Sequence, residues 1–391
     1  MNRLCTDIGY KSLNHAGEQL CGDQVEIQEQ PDGSLIAVLA DGLGSGVKAS
    51  ILSTLTAKII STMLAAGLRL EECVDTIAKT LPVCSERHCA YSTFTILQLL
   101  PDERAILIQY ENPAVILLRE GKSVEYPKTS ITVGDKTILH SEFRLYGNDL
   151  LIALSDGCLY AGAGIRMNYG WQRDNIIEFM QTFDHIGFTA KTLATILVDE
   201  CNKLYEGEPG DDATALLLRI RHRNTVSVMV GPPADRDKEQ QMLVKFLEAP
   251  GMHVVCGGTT AEIVAQYLNK PVLPLTEHSG ESNIPPMSSI EGIDLVTEGI
   301  ITASRVLEYA KDYLEENESY TRWSYQKDGA AALSRILFEQ ATDIHLLIGR
   351  AVNPAHQNPE LPINFNIKMR ILQELSQCLT QMGKRVDVSY Y

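Results

Sequence analysis

Four aspartates carry the chemistry open to this chain of 391 residues. Asp23 follows Gly22, Asp41 precedes Gly42, Asp156 stands between Ser155 and Gly157, and Asp211 precedes Asp212. Each sits at the end of a strand-like run, beside turn-forming residues. Carboxylate and backbone oxygens suit hard cations such as Mg²⁺ or Mn²⁺. Four acids converging without a cation would repel one another, so a metal cluster resolves the repulsion. Taken singly, each Gly-Asp or Ser-Asp-Gly is an ordinary turn signal.

The elements that must position these acids follow from patterning. Leu35 to Ala40 is a fully apolar run that ends on Asp41, then Gly42, Gly44 and Gly46, then a helical pattern over 47–66 in which Ile51, Leu55, Ile59 and Met63 alongside Leu52, Ile60 and Leu64 make a broad apolar face. Pro31-Asp32-Gly33 predicts a turn, and the resulting hairpin brings Asp23 near Asp41. A second helix is predicted over 70–80, then a meander of strands at 91–100, 104–110 and 114–118. The apolar run 150–154 enters Ser155-Asp156-Gly157, helices are predicted at 173–182 and 190–204, and Pro209-Gly210-Asp211-Asp212 opens a strand over 213–220.

Gly22-Asp23, Asp41-Gly42-Leu43-Gly44-Ser45-Gly46, Ser155-Asp156-Gly157 and Asp211-Asp212-Ala213-Thr214, in that order, resemble the signature motifs of the metal-dependent PPM (PP2C-type) serine/threonine phosphatases. The match is specifically to the bacterial sporulation stage II protein E branch, over about residues 6–220. The resemblance implies an αββα sandwich with two Mn²⁺ or Mg²⁺ ions at the sheet ends. Asp41 would bridge both ions, Asp23 and the Gly42 carbonyl would complete one, and Asp156 with Asp211 would hold the other. It implies hydrolysis of phosphoserine or phosphothreonine by a metal-bridging hydroxide, with no covalent intermediate. Many relatives carry a histidine after the Asp-Gly pair; here Leu43 stands there, as is usual in this branch. A phosphate-gripping arginine has no clear counterpart, Arg3 being far from Asp23 in sequence, so leaving-group protonation would fall to water. Asp212 reads as a cap or supporting group, and Asn14 and His15 as loop residues.

After Arg221-His222-Arg223-Asn224 the rhythm changes to alternating strand and helix, which predicts a boundary with domains 1–223 and 224–391. The second reads as an α/β, Rossmann-like domain with a mainly parallel sheet and strands at 226–230, 253–256, 293–296, 344–348 and 385–389. Its helices are predicted at 236–247, 260–268, 301–314, 329–340 and 368–382. Ligands of such sheets bind beyond strand carboxyl ends. Gly257, Gly258 and Thr259, entering a helix, form a candidate anion cradle, though neither a GxGxxG nor a Walker pattern. Arg350, Asn353 and His356 follow another strand and could share a pocket with Glu298. A small-molecule or protein regulator of the phosphatase is the implied partner of this domain, beside a phosphoprotein substrate. The other reading is an inactive phosphatase-fold scaffold whose C-terminal domain binds a phosphorylated metabolite or nucleotide. Docking on the 47–66 helix would shift Asp41 and Gly42 with it.

Composition bounds the rest. Fifty acidic against 34 basic residues give a formal charge of −16, which opposes nucleic acid and anionic membranes. No apolar stretch approaches the roughly 20 residues of a membrane span, and the amino terminus lacks a signal-peptide core, so a cytoplasmic protein is expected. Nine cysteines without a CxxC pair argue for reduced thiols. The closest cluster, Cys84 to Cys89 with His88, lacks a fourth ligand for a metal site.

Overall fold

The computed structural model describes residues 4–80, 92–133, 136–275, 286–351 and 363–391. The chain divides into two compact units between His222 and Arg223.

The first unit begins with β1 (Leu4–Leu13), β2 (Asp23–Glu29), β3 (Leu35–Gly42), α1 (Gly46–Ala65) and α2 (Leu70–Thr80). A meander follows: β4 (Ser92–Leu99), β5 (Arg104–Tyr110), β6 (Ile116–Arg119), β7 (Lys122–Ser123), β8 (Thr129–Val133) and β9 (Lys136–Arg144). Then come β10 (Leu150–Leu154), α3 (Asp156–Leu159), α4 (Arg173–Asp184), α5 (Ala190–Leu204) and β11 (Ala213–His222). The strands form two antiparallel sheets, ordered β1-β11-β10-β6-β7 and β2-β3-β4-β5-β9-β8.

β3 shows why its sequence is apolar throughout instead of alternating. Leu35, Ala37 and Leu39 point into a layer shared with Leu117, Leu151, Leu216 and Leu218 of the other sheet. Ile36, Val38 and Ala40 pack on the opposite face against Leu52, Ala57 and Ile60 of α1. α5 covers the outer face of the other sheet, on β1 and β11. The layers are therefore helix, sheet, sheet, helix, a PP2C-like arrangement. Four strands of this unit escaped the sequence reading: β1, β7 and β8, which lie at sheet edges, and β9 beside β8.

α1 corrects one expectation. Its 20 residues are long and apolar enough, by length and composition, to cross a membrane. In the structure Ala49, Leu52, Ala57 and Ile60 are fully or nearly fully buried against the sheet. The outer face keeps Val47, Ile51 and Leu55 exposed.

The second unit contains β12 (Thr225–Val230), α6 (Glu239–Leu247), β13 (Met252–Cys256), α7 (Gly258–Leu268), β14 (Leu273–Pro274), β15 (Ser288–Ser289) and β16 (Leu295–Thr297). It continues through α8 (Ile300–Leu314), α9 (Tyr320–Tyr325), α10 (Gly329–Ser334), β17 (Asp343–Ile348), α11 (Ile363–Gln381) and β18 (Arg385–Tyr390). Its sheet runs β14-β15-β16-β13-β12-β17-β18, parallel from β16 to β18 with an antiparallel edge at β14 and β15. α6 and α7 pack on one face around Met229, Val255 and Leu347. α8, α10 and α11 pack on the other around Val228, Val254 and Leu346. The predicted 329–340 helix is instead a short α-helix continued by a π-helical stretch, Arg335–Gln340. Among the described residues, Cys21, Cys73, Cys158, Cys201, Cys256 and Cys378 form no disulfide. Cys84 to Cys89, Arg3, Asn353 and His356 lie outside the described residues.

Candidate metal centre

The β2–β3 hairpin sets the first two acids in register: Asp23 pairs with Asp41, and Asp41 on its other side with Thr93 of β4. The pairing continues one residue outward, where the Gly42 amide donates to the Gly22 carbonyl at 3.2 Å. β10 and β11, neighbours in the other sheet, deliver the remaining acids. Asp156 opens α3 directly after β10, and Asp211 and Asp212 precede β11. Ser155 and Thr214 lock these ends together: the Ser155 amide donates to the Thr214 carbonyl at 3.0 Å, and the Thr214 amide to the Ser155 hydroxyl at 2.8 Å.

Both sheets end at one place. A Cβ on Gly22 would lie 2.7 Å from Asp212 Oδ2, and the Cys21 thiol is 3.9 Å from the Thr214 hydroxyl. A Cβ on Gly157 would strike the Asp212 carbonyl oxygen, and one on Gly42 the Ala49 carbonyl oxygen. Glycine at 22, 42 and 157 is thus required by close packing of the acid-bearing loops. Gly44 and Gly46 serve a different need, with φ of 91° and 70°, a left-handed turn that drops the chain into α1. Ser45 gives α1 no side-chain cap, and the first turn holds no acid; the Glu18 carboxylate approaches Gly46 from another loop.

The electrostatics are those of crowded acids. Burial, then Asp23, Asp156, Asp211 and Asp212, pushes the Asp41 carboxyl up to about 9. Burial raises Asp23 to about 7, opposed by the Ser155 and Thr214 hydroxyls and reinforced by Asp212 and Asp211. Burial and then Asp156 lift Asp211 to about 6, opposed by the Asp212 amide and by His15. The Cys21 thiol, held at about 12 by burial and by Asp23 and Asp212, stays protonated. Asp23 is only 4% exposed, yet neither of its oxygens closes a hydrogen bond, the nearby hydroxyls of Ser155 and Thr214 included. Asp212 Oδ2 is likewise buried without a partner, while Oδ1 accepts from the His15 amide at 3.0 Å.

Buried carboxylate oxygens without donors are costly unless a cation completes them. In chemistry the residues therefore fit a hard divalent ion. The spacing sets a limit: among the described residues no three His, Cys, Asp or Glu side chains lie close enough to hold one ion by themselves. Ligation here would draw on backbone oxygens and water as well as carboxylates.

Of the sequence candidates, Asp23, Asp41, Gly42, Asp156 and Asp211 converge, whereas Gly257, Gly258 and Thr259 belong to the second unit, at the start of α7. There the Glu298 carboxylate lies 3.7 Å from where a Gly258 Cβ would stand, so negative charge already faces that helix start. The sequence reading took Asp212 as a cap or supporting group, in keeping with the bond its Oδ1 accepts from the His15 amide, and did not single out Cys21. Two adjacent acids before a strand leave their facing ambiguous until the register is known.

Residues 31–221 match the family described as Stage II sporulation protein E (SpoIIE). Stage II sporulation protein E of Bacillus subtilis (strain 168) is 21% identical over 232 residues, covering 58% of this chain and 27% of that protein. The protein of the same name from Priestia megaterium is 20% identical over 222 residues, covering 55% of this chain and 36% of its own. The match thus spans between about a quarter and a third of the length of these relatives. A solved structure of the PP2C phosphatase domain with a fragment of the regulatory domain of SpoIIE from B. subtilis is 20% identical. It covers 56% of this chain and 65% of that one, with a TM-score of 0.48.

Proposed function

Residues 31–221 form a domain of the Stage II sporulation protein E family of PP2C-type phosphatases, and from that premise we propose that the chain hydrolyses phosphoserine and phosphothreonine in a cytoplasmic phosphoprotein. The observation that carries the reading is the Asp23–Asp41 pair at the strand ends, with both Asp23 oxygens buried and unpartnered. In this reading Asp23, Asp41, the Gly42 carbonyl, Asp156 and Asp211 would hold two ions, Asp41 contributing to both. When bound, two Mn²⁺ or Mg²⁺ ions would lower the pKa of water and offset charge building at phosphorus.

The chain's own residues orient and insulate. Ser155 and Thr214 hold β10 to β11 so that Asp156 and Asp211 stay side by side. Gly42 and Gly157 let backbone carbonyls approach where a side chain would block them. Leu43, 37% exposed, offers no proton, so the leaving alkoxide takes its proton from solvent.

In this reading the second unit regulates the first. β11 runs from Asp211-Asp212 at its start to the junction at its end, and only Arg223-Asn224 separate it from β12. A pull on that junction is therefore carried by the strand that begins at the acids.

Phosphate release from a phosphoserine peptide tests the proposal. Release that needs Mn²⁺ or Mg²⁺ and stops with a chelator supports it; no release with either metal refutes it. A second reading, an inactive phosphatase-fold scaffold whose C-terminal unit binds a phosphorylated small molecule, draws on the absence of three acids spaced for one ion among the described residues. Calorimetry separates the two: no Mn²⁺ binding favours the scaffold.

A further inference from the structure

The second unit's sheet reverses its winding between β12 and β17. From β12 the chain steps outward through α6 to β13 and through α7 to β16, with both helices on one face. It then returns through α8, α9 and α10 to β17, on the other side of β12, and α11 leads on to β18. In open parallel sheets ligands bind outside the strand carboxyl ends at that reversal.

Two glycines close these strands. The Gly349 amide donates to the Val230 carbonyl at 3.0 Å, and a Cβ on Gly349 would strike Pro232. Gly231 has a φ of 79°, and a Cβ there would strike Nζ of Lys368. α11 thus delivers a lysine ammonium to the end of β12, beside Gly231.

Lys368 is half-buried and donates to the Gly349 carbonyl at 2.9 Å. An ammonium has three donors, and among the described residues this carbonyl takes one of them. Burial lowers its pKa. Among the described residues no carboxylate pairs with this half-buried ammonium. The neighbouring α7 start has its carboxylate in Glu298, so the cation is found at β12 and not at the glycine pair after β13.

We propose that Lys368 anchors an anion site at the carboxyl ends of β12 and β17, which takes a phosphate group, free or carried by a small molecule, on its N–H donors. Lysine serves phosphate as a point charge. The site does not depend on the phosphatase chemistry of the first unit.

The test is calorimetric titration of the full chain, stripped of divalent metal, with inorganic phosphate, pyrophosphate and ADP. One-site binding of at least one probe is expected, weakened tenfold or more in both Lys368→Met and Lys368→Gln. Equal affinity for phosphate and ADP identifies free phosphate as the ligand; tighter ADP binding identifies a nucleotide. Without probe, Lys368→Met should melt at a higher temperature, because a half-buried ammonium is removed; a purely structural lysine would give a lower one. In the unaltered protein, the bound probe should slow acylation of Lys368, read by mass spectrometry. No heat from any probe at millimolar concentration, or binding that survives Lys368→Met, overturns the proposal. Since divalent metal is absent throughout, the result is separable from the fate of the phosphatase reading.

Discussion

Asp23 and Asp41 face each other across the β2–β3 pair, one 4% exposed and the other half-buried, with no lysine or arginine among the main influences on either. Two carboxylates in register at the end of a buried hairpin cost stability, and the cost is recovered when a cation arrives. The first prediction follows directly. Asp23→Asn should stabilise the metal-free protein by about 1–3 kcal/mol, the scale of a buried unsatisfied group, while abolishing metal-dependent phosphate release. Urea melts with chelator, set beside a phosphopeptide assay, measure both; destabilisation with activity intact would oppose the account.

The same crowding sets a pH dependence. Asp211, Asp23 and Asp41 keep their protons up to about 6, 7 and 9, above the roughly 4 of an unfolded aspartate. Between those limits the folded state binds more protons than the unfolded one, so metal-free stability is greatest near the lower limit and falls as pH rises. Melts at about pH 5, 7 and 9 should show the decline, and Asp41→Asn should flatten its upper part. Stability rising over this window would contradict the assignment.

Metal should reverse the effect. At a hundredfold excess over its dissociation constant, Mn²⁺ should raise stability by about 2.7 kcal/mol. Binding at neutral pH should release protons, because Asp41 must ionise to ligate. Calorimetry in two buffers of different ionisation enthalpy counts those protons; none released means that the raised carboxyls are not the ligands.

How much of this was legible in sequence depended on burial. The β2–β3 hairpin could be read because a Pro-Asp-Gly turn joins strands whose apolar residues have nowhere else to go. β1 could not, because an edge strand with only Gly9 fully buried has no strong alternation. Asp212 could be read as a cap or supporting group but not placed, for a related reason. Its place against Gly22 depends on two sheets meeting end to end, a contact between residues 190 positions apart that no local pattern encodes. In the second unit the strand and helix rhythm was plain, but Lys368 is simply the first residue of the predicted 368–382 helix and gains meaning only when α11 is laid against Gly231.

Tyr205 tests how the second acid-bearing loop is held. Its buried hydroxyl donates to the Gly157 carbonyl at 2.8 Å, beside Asp156. Tyr205→Phe should cost about 1–2 kcal/mol and lower affinity for the metal while leaving Asp156 in place. Thermal melts and metal titration read both; wild-type values in each would show that Gly157 needs no such support.

Trp323 tests the division of the chain. It is fully buried in the second unit among Tyr313 and Phe338. Trp323→Ala should remove about 3–5 kcal/mol there and split the melt into two steps, the later one retaining phosphatase activity. A single transition with activity lost at its onset would mean that the units do not unfold independently.

The most direct measurement of the central claim is the stoichiometry of Mn²⁺ on the full chain and on Asp41→Asn, by calorimetry at neutral pH. The account predicts two ions per chain, falling to one or none when the shared carboxylate is lost. No binding to the unaltered chain, or two ions still held by Asp41→Asn, would contradict it.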